Sequence, residues 1–169
     1  MRLRTGVIRF LLACTLACGA AKPAAMDHLY QMTPNAIRGV ILTMPEEALT
    51  LSRPSAVLDA SDGFVPVIDS RATEPRSVQV EHVYKEKVGI DGILRAEYYV
   101  TVGHAPVLHE IILYYVDEAS ARAAFDGRYR GRGTAKLVGD HPGVAIHTVT
   151  FDATAYTLEN KIVLVVRIP

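Results

Sequence analysis

The chain has 169 residues, 18 basic and 18 acidic side chains, six histidines, two cysteines and no tryptophan. The charge is unevenly spread: residues 1–25 hold Arg2, Arg4, Arg9 and Lys22 and no acid, which leaves 14 basic against 18 acidic groups afterwards, a balance of −4. That balance excludes the basic footprint of a nucleic-acid binder, and the length allows one core without disulfide staples.

At the N-terminus, three arginines lead into an eight-residue run from Phe10 to Ala17, followed by Gly19-Ala20-Ala21. A positive start, a short apolar stretch and a small-residue exit form the pattern of a secretory signal peptide, and the run is too short to span a bilayer. The pattern predicts a signal peptide over residues 1–20, a tether over 21–32 and one domain over 33–169. Two fates of the leader fit. One is ordinary cleavage after Ala20 or Ala21. The other is lipidation of Cys18 or Cys14, because both cysteines sit in stretches resembling a bacterial lipoprotein cleavage box. The expected location is therefore the periplasm or the exterior, with a lipid anchor in the second case. The remainder contains no cysteine, hence no disulfide framework and no thiol nucleophile. No later stretch is long enough for a transmembrane span.

Residues 26–60 read as irregular or helical. Thr33-Pro34 and Thr43-Met44-Pro45-Glu46-Glu47 carry helix-start chemistry. Ile37, Val40 and Ile41 would give the first helix a narrow apolar stripe. Asp59-Ala60-Ser61-Asp62-Gly63 reads as an Asx turn; it lacks the alternating acids of a calcium loop.

From Ser77 the period changes to two. Residues 78–88, 93–102 and 107–116 predict a three-stranded meander. Asp117-Glu118 opens a helix ending near Gly127, with Glu118 and Arg122 as an i,i+4 pair. Strands resume at 144–151, 156–158 and 162–168, the last apolar in both phases and so central. The expected fold is α+β: a twisted antiparallel sheet of about six strands packed on one main helix, with the N-terminal helical segment as a second cover. This order of elements resembles small exported bacterial domains of the PsbP or Mog1-like kind over residues 77–169. The resemblance implies architecture and not activity.

A tight turn at 103–106 would pair Val102 with Val107 and place Leu94, Ala96, Tyr98, Val100, Val102, Val107, His109, Ile111, Leu113 and Tyr115 on the core face. His109 is then the one polar group there, expected as a buried histidine with a hydrogen-bonded partner. His82 would share that face roughly 10 Å away, too far for joint metal ligation at about 2 Å. The expectation is no metal and no cofactor, with a metal-carrying or hydrolytic domain built around His109, and His82 with it, as the alternative.

No serine stands in a nucleophile motif and no catalytic residue is assigned. Two binding features remain. Arg128, Tyr129, Arg130 and Arg132, spaced by Gly131, could fork onto an anion. Tyr99 and Tyr114, expected opposite Glu110 and Arg95 on the mixed face, could form an aromatic binding surface. The expectation is a non-enzymatic binding or accessory module of the bacterial envelope. Its partner would be an envelope protein, a glycan or an anionic small ligand, and not nucleic acid.

Overall fold

The computed structural model describes residues 32–67, 76–147 and 151–167. The leader, Cys14, Cys18 and the tether lie outside them, except for Met32. A 3-10 turn at Asn35–Ile37 precedes, in chain order, α1 (Glu46–Ser52), β1 (Val57–Asp59), β2 (Phe64–Val67), β3 (Arg76–Gln79), β4 (Glu81–Ile90), β5 (Ile93–Thr101) and β6 (Leu108–Tyr115). Then follow α2 (Glu118–Arg128), β7 (Thr134–Val138), β8 (His141–His147), β9 (Asp152–Leu158) and β10 (Lys161–Arg167).

Eight strands form one sheet in the order β1-β4-β5-β6-β10-β9-β8-β7, every pairing antiparallel, while β2 and β3 form a separate hairpin. The sheet therefore exceeds the six strands expected. The meander, the helix and the return of strands are present, but the run read as one strand over 78–88 is divided. Its start pairs with β2 in the separate hairpin, and β4 begins at Glu81; β10 is central between β6 and β9. Its Ile162, Leu164 and Val166 are buried on one face and its Val163 on the other, which explains a segment apolar in both phases.

The core face can be followed across the register: Tyr84 opposite Tyr98, Tyr98 opposite Ile111, Ile111 opposite Leu164, Leu164 opposite Ala155, Ala155 opposite Val144. Over it pack Ala121 and Phe125 of α2, Tyr129 just beyond it, and Met32, Ile37, Val40, Leu42 and Leu49 from the N-terminal segment. Both helical regions thus cover the same face. The second cover was expected on the opposite face, but the apolar residues of 32–49 join the cluster that α2 already covers.

Helix α2 begins as its sequence dictates. Asp117 caps it, accepting the Ser120 backbone N–H at 2.7 Å, and Glu118 reaches Arg122 at 2.9 Å. The first N-terminal start signal does not yield a helix. Thr33 donates its hydroxyl to the Val40 carbonyl rather than capping, and Gly39 at φ +92 ends the 3-10 turn. The second does, with Pro45 at the cap position and Glu46 and Glu47 in the first turn of α1. The Asx turn is present: Asp59 Oδ1 accepts the Ser61 N–H at 3.0 Å and its hydroxyl at 2.6 Å.

The meander corrects the placement of His109. Tyr99 does pair with Glu110 and Arg95 with Tyr114, but β-bulges follow at both ends, between Ile93 and Arg95 and between Tyr99 and Val100. The second bulge sets Val100 opposite Leu108, so Leu108 takes the core position and His109 turns to the outer face. The first puts Ile93 in the core (1 % exposed) and leaves Leu94 52 % exposed. Each bulge inserts one residue and inverts the phase beyond it.

Candidate functional site

A cleft of about 560 Å³ lies between α2 with the turn after it and strands β7, β8 and β9. Phe125, Ala135, Leu137, Pro142 and Val144 line it with apolar surface. Arg122 and Arg130 bring positive charge, against the single carboxylate of Asp126, while Lys136 borders the cleft along β7 with its ammonium on the other face of the sheet, bonded to the Thr154 hydroxyl. The two arginines are held only loosely. Arg122 pairs with Glu118 at 2.9 Å and Arg130 with Asp126 at 3.4 Å, and their side chains remain 61 % and 77 % exposed. Such exposed i,i+4 pairs are worth a few tenths of a kcal/mol, so either guanidinium is free to turn to an incoming anion at little cost.

Gly133 makes this geometry possible. A Cβ there would lie 2.3 Å from the Ala145 carbonyl oxygen, so only glycine lets the chain leave the arginine-rich turn and enter β7 directly against β8.

The arginine-rich segment after α2 is divided by the structure. Tyr129 is buried and donates its hydroxyl to the Met32 carbonyl at 2.6 Å; burial pushes that phenol above its ordinary range. Arg128 donates to the Thr33 carbonyl at 3.3 Å. These two residues tie α2 to the N-terminal segment. Arg130 lines the cleft, while Arg132 lines two smaller depressions, one with Tyr115 and Arg128 and one with Ala145 and His147. Of the four residues expected to act together, one reaches the cleft.

Tyr99 and Tyr114 do share the outer face, and they share one acceptor. Both hydroxyls donate to Glu97 Oε2, at 3.1 and 2.8 Å, while Arg95 sits 3.3 Å from Oε1 and stacks 3.8 Å from the Tyr114 ring centre. Burial first, then the Glu97 carboxylate, pushes both phenols up. Glu97 is 4 % exposed. The rings therefore spend their polar ends inside the protein.

The histidines are dispersed. His82 and Tyr84 both contact Glu46 Oε1 at 2.6 Å on the core side, and the Tyr84 phenol is pushed up to about 12 by burial and by that carboxylate. His109 Nε2 lies 2.8 Å from Glu81 Oε1 on the outer face, at ion-pair distance without the angle of a hydrogen bond. His147 pairs with Asp152 at the surface. His82 and His109, expected on one face, occupy opposite faces. Among the described residues no three His, Cys, Asp or Glu side chains converge as a metal site, and no helix is long and apolar enough to cross a membrane.

The sequence reading missed Leu137 as a cleft wall, because an exposed edge strand has no apolar alternation to betray it, and Pro142 joins it from the neighbouring strand β8. Arg122 was visible only as an ion-pair partner of Glu118. No family model, no curated protein and no solved structure matches the chain.

Proposed function

We propose that the chain is an exported, non-enzymatic binding module of the cell envelope whose site is the cleft between α2 and β7–β9. The observation that carries this reading is the pairing of an apolar floor with loosely held arginines. Apolar surface with a few placed polar groups is how ligand sites are built. The occupant that fits has an apolar body and a negative charge. The residues of the cleft offer anchoring chemistry; Asp126 and Thr157 are its only side chains with an oxygen. Export rests on the leader pattern, and the two fates of Cys14 and Cys18 decide between a free and a lipid-anchored form.

The test is a titration of the full chain with dodecyl phosphate, read by tryptophan-free intrinsic fluorescence or by calorimetry. Saturable binding is expected, weakened by Arg130→Glu on the order of tenfold, the size of one charge-assisted contact. Equal binding by wild type and variant would sink the reading. Fractionation of wild type against the Cys14→Ser/Cys18→Ser double variant reads the anchor: release from the membrane fraction marks lipidation, and an already soluble wild type marks simple cleavage.

A further inference from the structure

β7 is the last strand of the eight, and among the described residues no strand lies beyond it. Alternate backbone N–H and C=O groups along Thr134–Val138 therefore point outward without a ladder partner. Exposed edges invite pairing with another chain, and proteins usually blunt them with charged side chains, proline or a bulge. β7 has one such guard, Lys136, and its ammonium is drawn back onto the Thr154 hydroxyl at 3.1 Å. The opposite flank presents Ala135 and Leu137, and Leu137 is 72 % exposed. Beside that flank lies the cleft.

We infer that this edge accepts an extended peptide segment of a partner protein as a ninth strand, with alternate side chains lying along the cleft. The inference rests on the binding reading above and names its occupant. Backbone pairing to β7 would supply affinity, and side chains at every second position would supply selection. Those on the cleft side would meet Leu137, with Arg122 and Arg130 close by. Two guanidiniums and one carboxylate line the cleft, on a chain that carries four net negative charges past residue 25. The complementary segment alternates apolar and acidic residues and lacks lysine and arginine. A positive patch on an otherwise acidic chain also steers such a segment to this edge and away from the rest of the surface.

The experiment selects binders to the full chain from decapeptides that alternate apolar with Asp or Glu, alongside a matched set bearing Lys in place of the acids. Binding is read by fluorescence anisotropy and by amide hydrogen exchange of β7. The acidic set is expected to yield binders. Methylating alternate backbone nitrogens of a binder should weaken it at least about tenfold in one of the two registers and not in the other, as strand pairing requires. Leu137→Asp and Arg130→Glu should each weaken it at least about fivefold, and the outward amides of β7 should exchange more slowly in the complex. Leu137→Asp lies at an exposed position, so the fold survives it.

Three results would overturn the inference. In the first, both methylated registers bind as well as the parent. In the second, the lysine set is selected instead. In the third, no peptide of the acidic set binds below about 1 mM. If dodecyl phosphate still binds in an Arg130-dependent way in any of these cases, the cleft reading stands and only the strand addition falls. If dodecyl phosphate does not bind either, both fall.

Discussion

Glu86 and Glu97 lie on opposite faces of the sheet, 5 % and 4 % exposed, and each accepts tyrosine hydroxyls. Around Glu86 two of the partners, Arg53 and Ser55, come from outside the meander, and Tyr98 from the neighbouring strand. Arg53, just past α1, donates Nε to Oε2 at 2.8 Å and Nη2 to Oε1 at 2.5 Å, Ser55 donates to Oε1, and Tyr98 donates to Oε2 at 2.8 Å. Around Glu97 they come from the same meander: Tyr99, Tyr114 and Arg95, with Lys85 at the outer limit of 4.0 Å. Lys85 is engaged elsewhere, by Asp59 at 2.9 Å and Asp62 at 2.6 Å. The first cluster fastens a separate segment onto the core face. The second steadies strands already held by their ladder.

The clusters also differ in what removal leaves behind. The Arg53 fork is satisfied by one carboxylate and is only 18 % exposed, so its charge depends on Glu86. Arg95 is 50 % exposed and can turn to water. Buried ion pairs add little relative to an apolar replacement, but deleting one partner is costly because the other charge stays behind. Glu86→Ala is therefore expected to lower stability by about 3 kcal/mol, read by urea denaturation, and to loosen α1 in hydrogen exchange. Burial pushes the Glu86 carboxyl up, but Arg53, Ser55 and Tyr98 pull it down further, so it ends below its ordinary value. A lowered folded value gives a contribution that is present above the unfolded value of about 4.3 and lost as pH falls through the folded one. The gap between wild type and variant should thus hold at pH 7 and narrow below about pH 4. A cost under 1 kcal/mol would mean that α1 is held by Leu49 and the Glu46 contacts alone.

Glu97→Gln sharpens the contrast. The amide oxygen still accepts a tyrosine hydroxyl, and Arg95 and Lys85 keep access to water, so a cost of about 1 kcal/mol is expected in the same measurement. A cost equal to that of Glu86→Ala would make the outer face as tightly built as the core face. It would also tie the Tyr99 and Tyr114 hydroxyls more firmly to Glu97 and away from any partner.

The middle of the meander was legible because alternation there is strict. Tyr99 opposite Glu110 and Arg95 opposite Tyr114 follow from the turn and the period alone. The bulges were not, because one inserted residue leaves every local pattern plausible while exchanging His109 for Leu108 and Leu94 for Ile93 in the core. β1 and β7 escaped notice for a different reason. Val57–Asp59 and Thr134–Val138 are edge strands exposed along all but their last residue, so burial imposes no alternation on them. Tyr129 did carry a signal. Ala121, Phe125 and Tyr129 recur every four residues and are all buried, a stripe continuing through the end of α2, but the flanking arginines drew the reading toward the surface. The cleft could not be read from sequence, since its walls come from residues 122 to 157 and meet only because β7 lies at the sheet edge.

The smallest effect has the opposite sign. Glu110 lies on the outer face between Tyr99 and Val165 in the register. Burial raises its carboxyl and the Glu81 charge adds to this, while His109 pulls the other way; the net direction is upward. A raised folded value means that the folded state holds the proton more readily than the unfolded chain. Stability is then gained as pH falls toward the unfolded value of about 4.3, and the ionised form at pH 7 carries a penalty. Glu110→Gln removes that penalty while keeping the shape, so it should raise the urea midpoint at pH 7, by under about 1 kcal/mol because the group is only half-buried. The gain should shrink to nothing below about pH 4, where wild-type Glu110 is itself neutral. At pH 7 the Glu86 and Glu110 substitutions thus move stability in opposite directions, and both effects fade in acid. A loss on Glu110→Gln at pH 7 would mean that the ionised carboxylate is engaged on the outer face, and the contrast between the two faces would then fail at this residue.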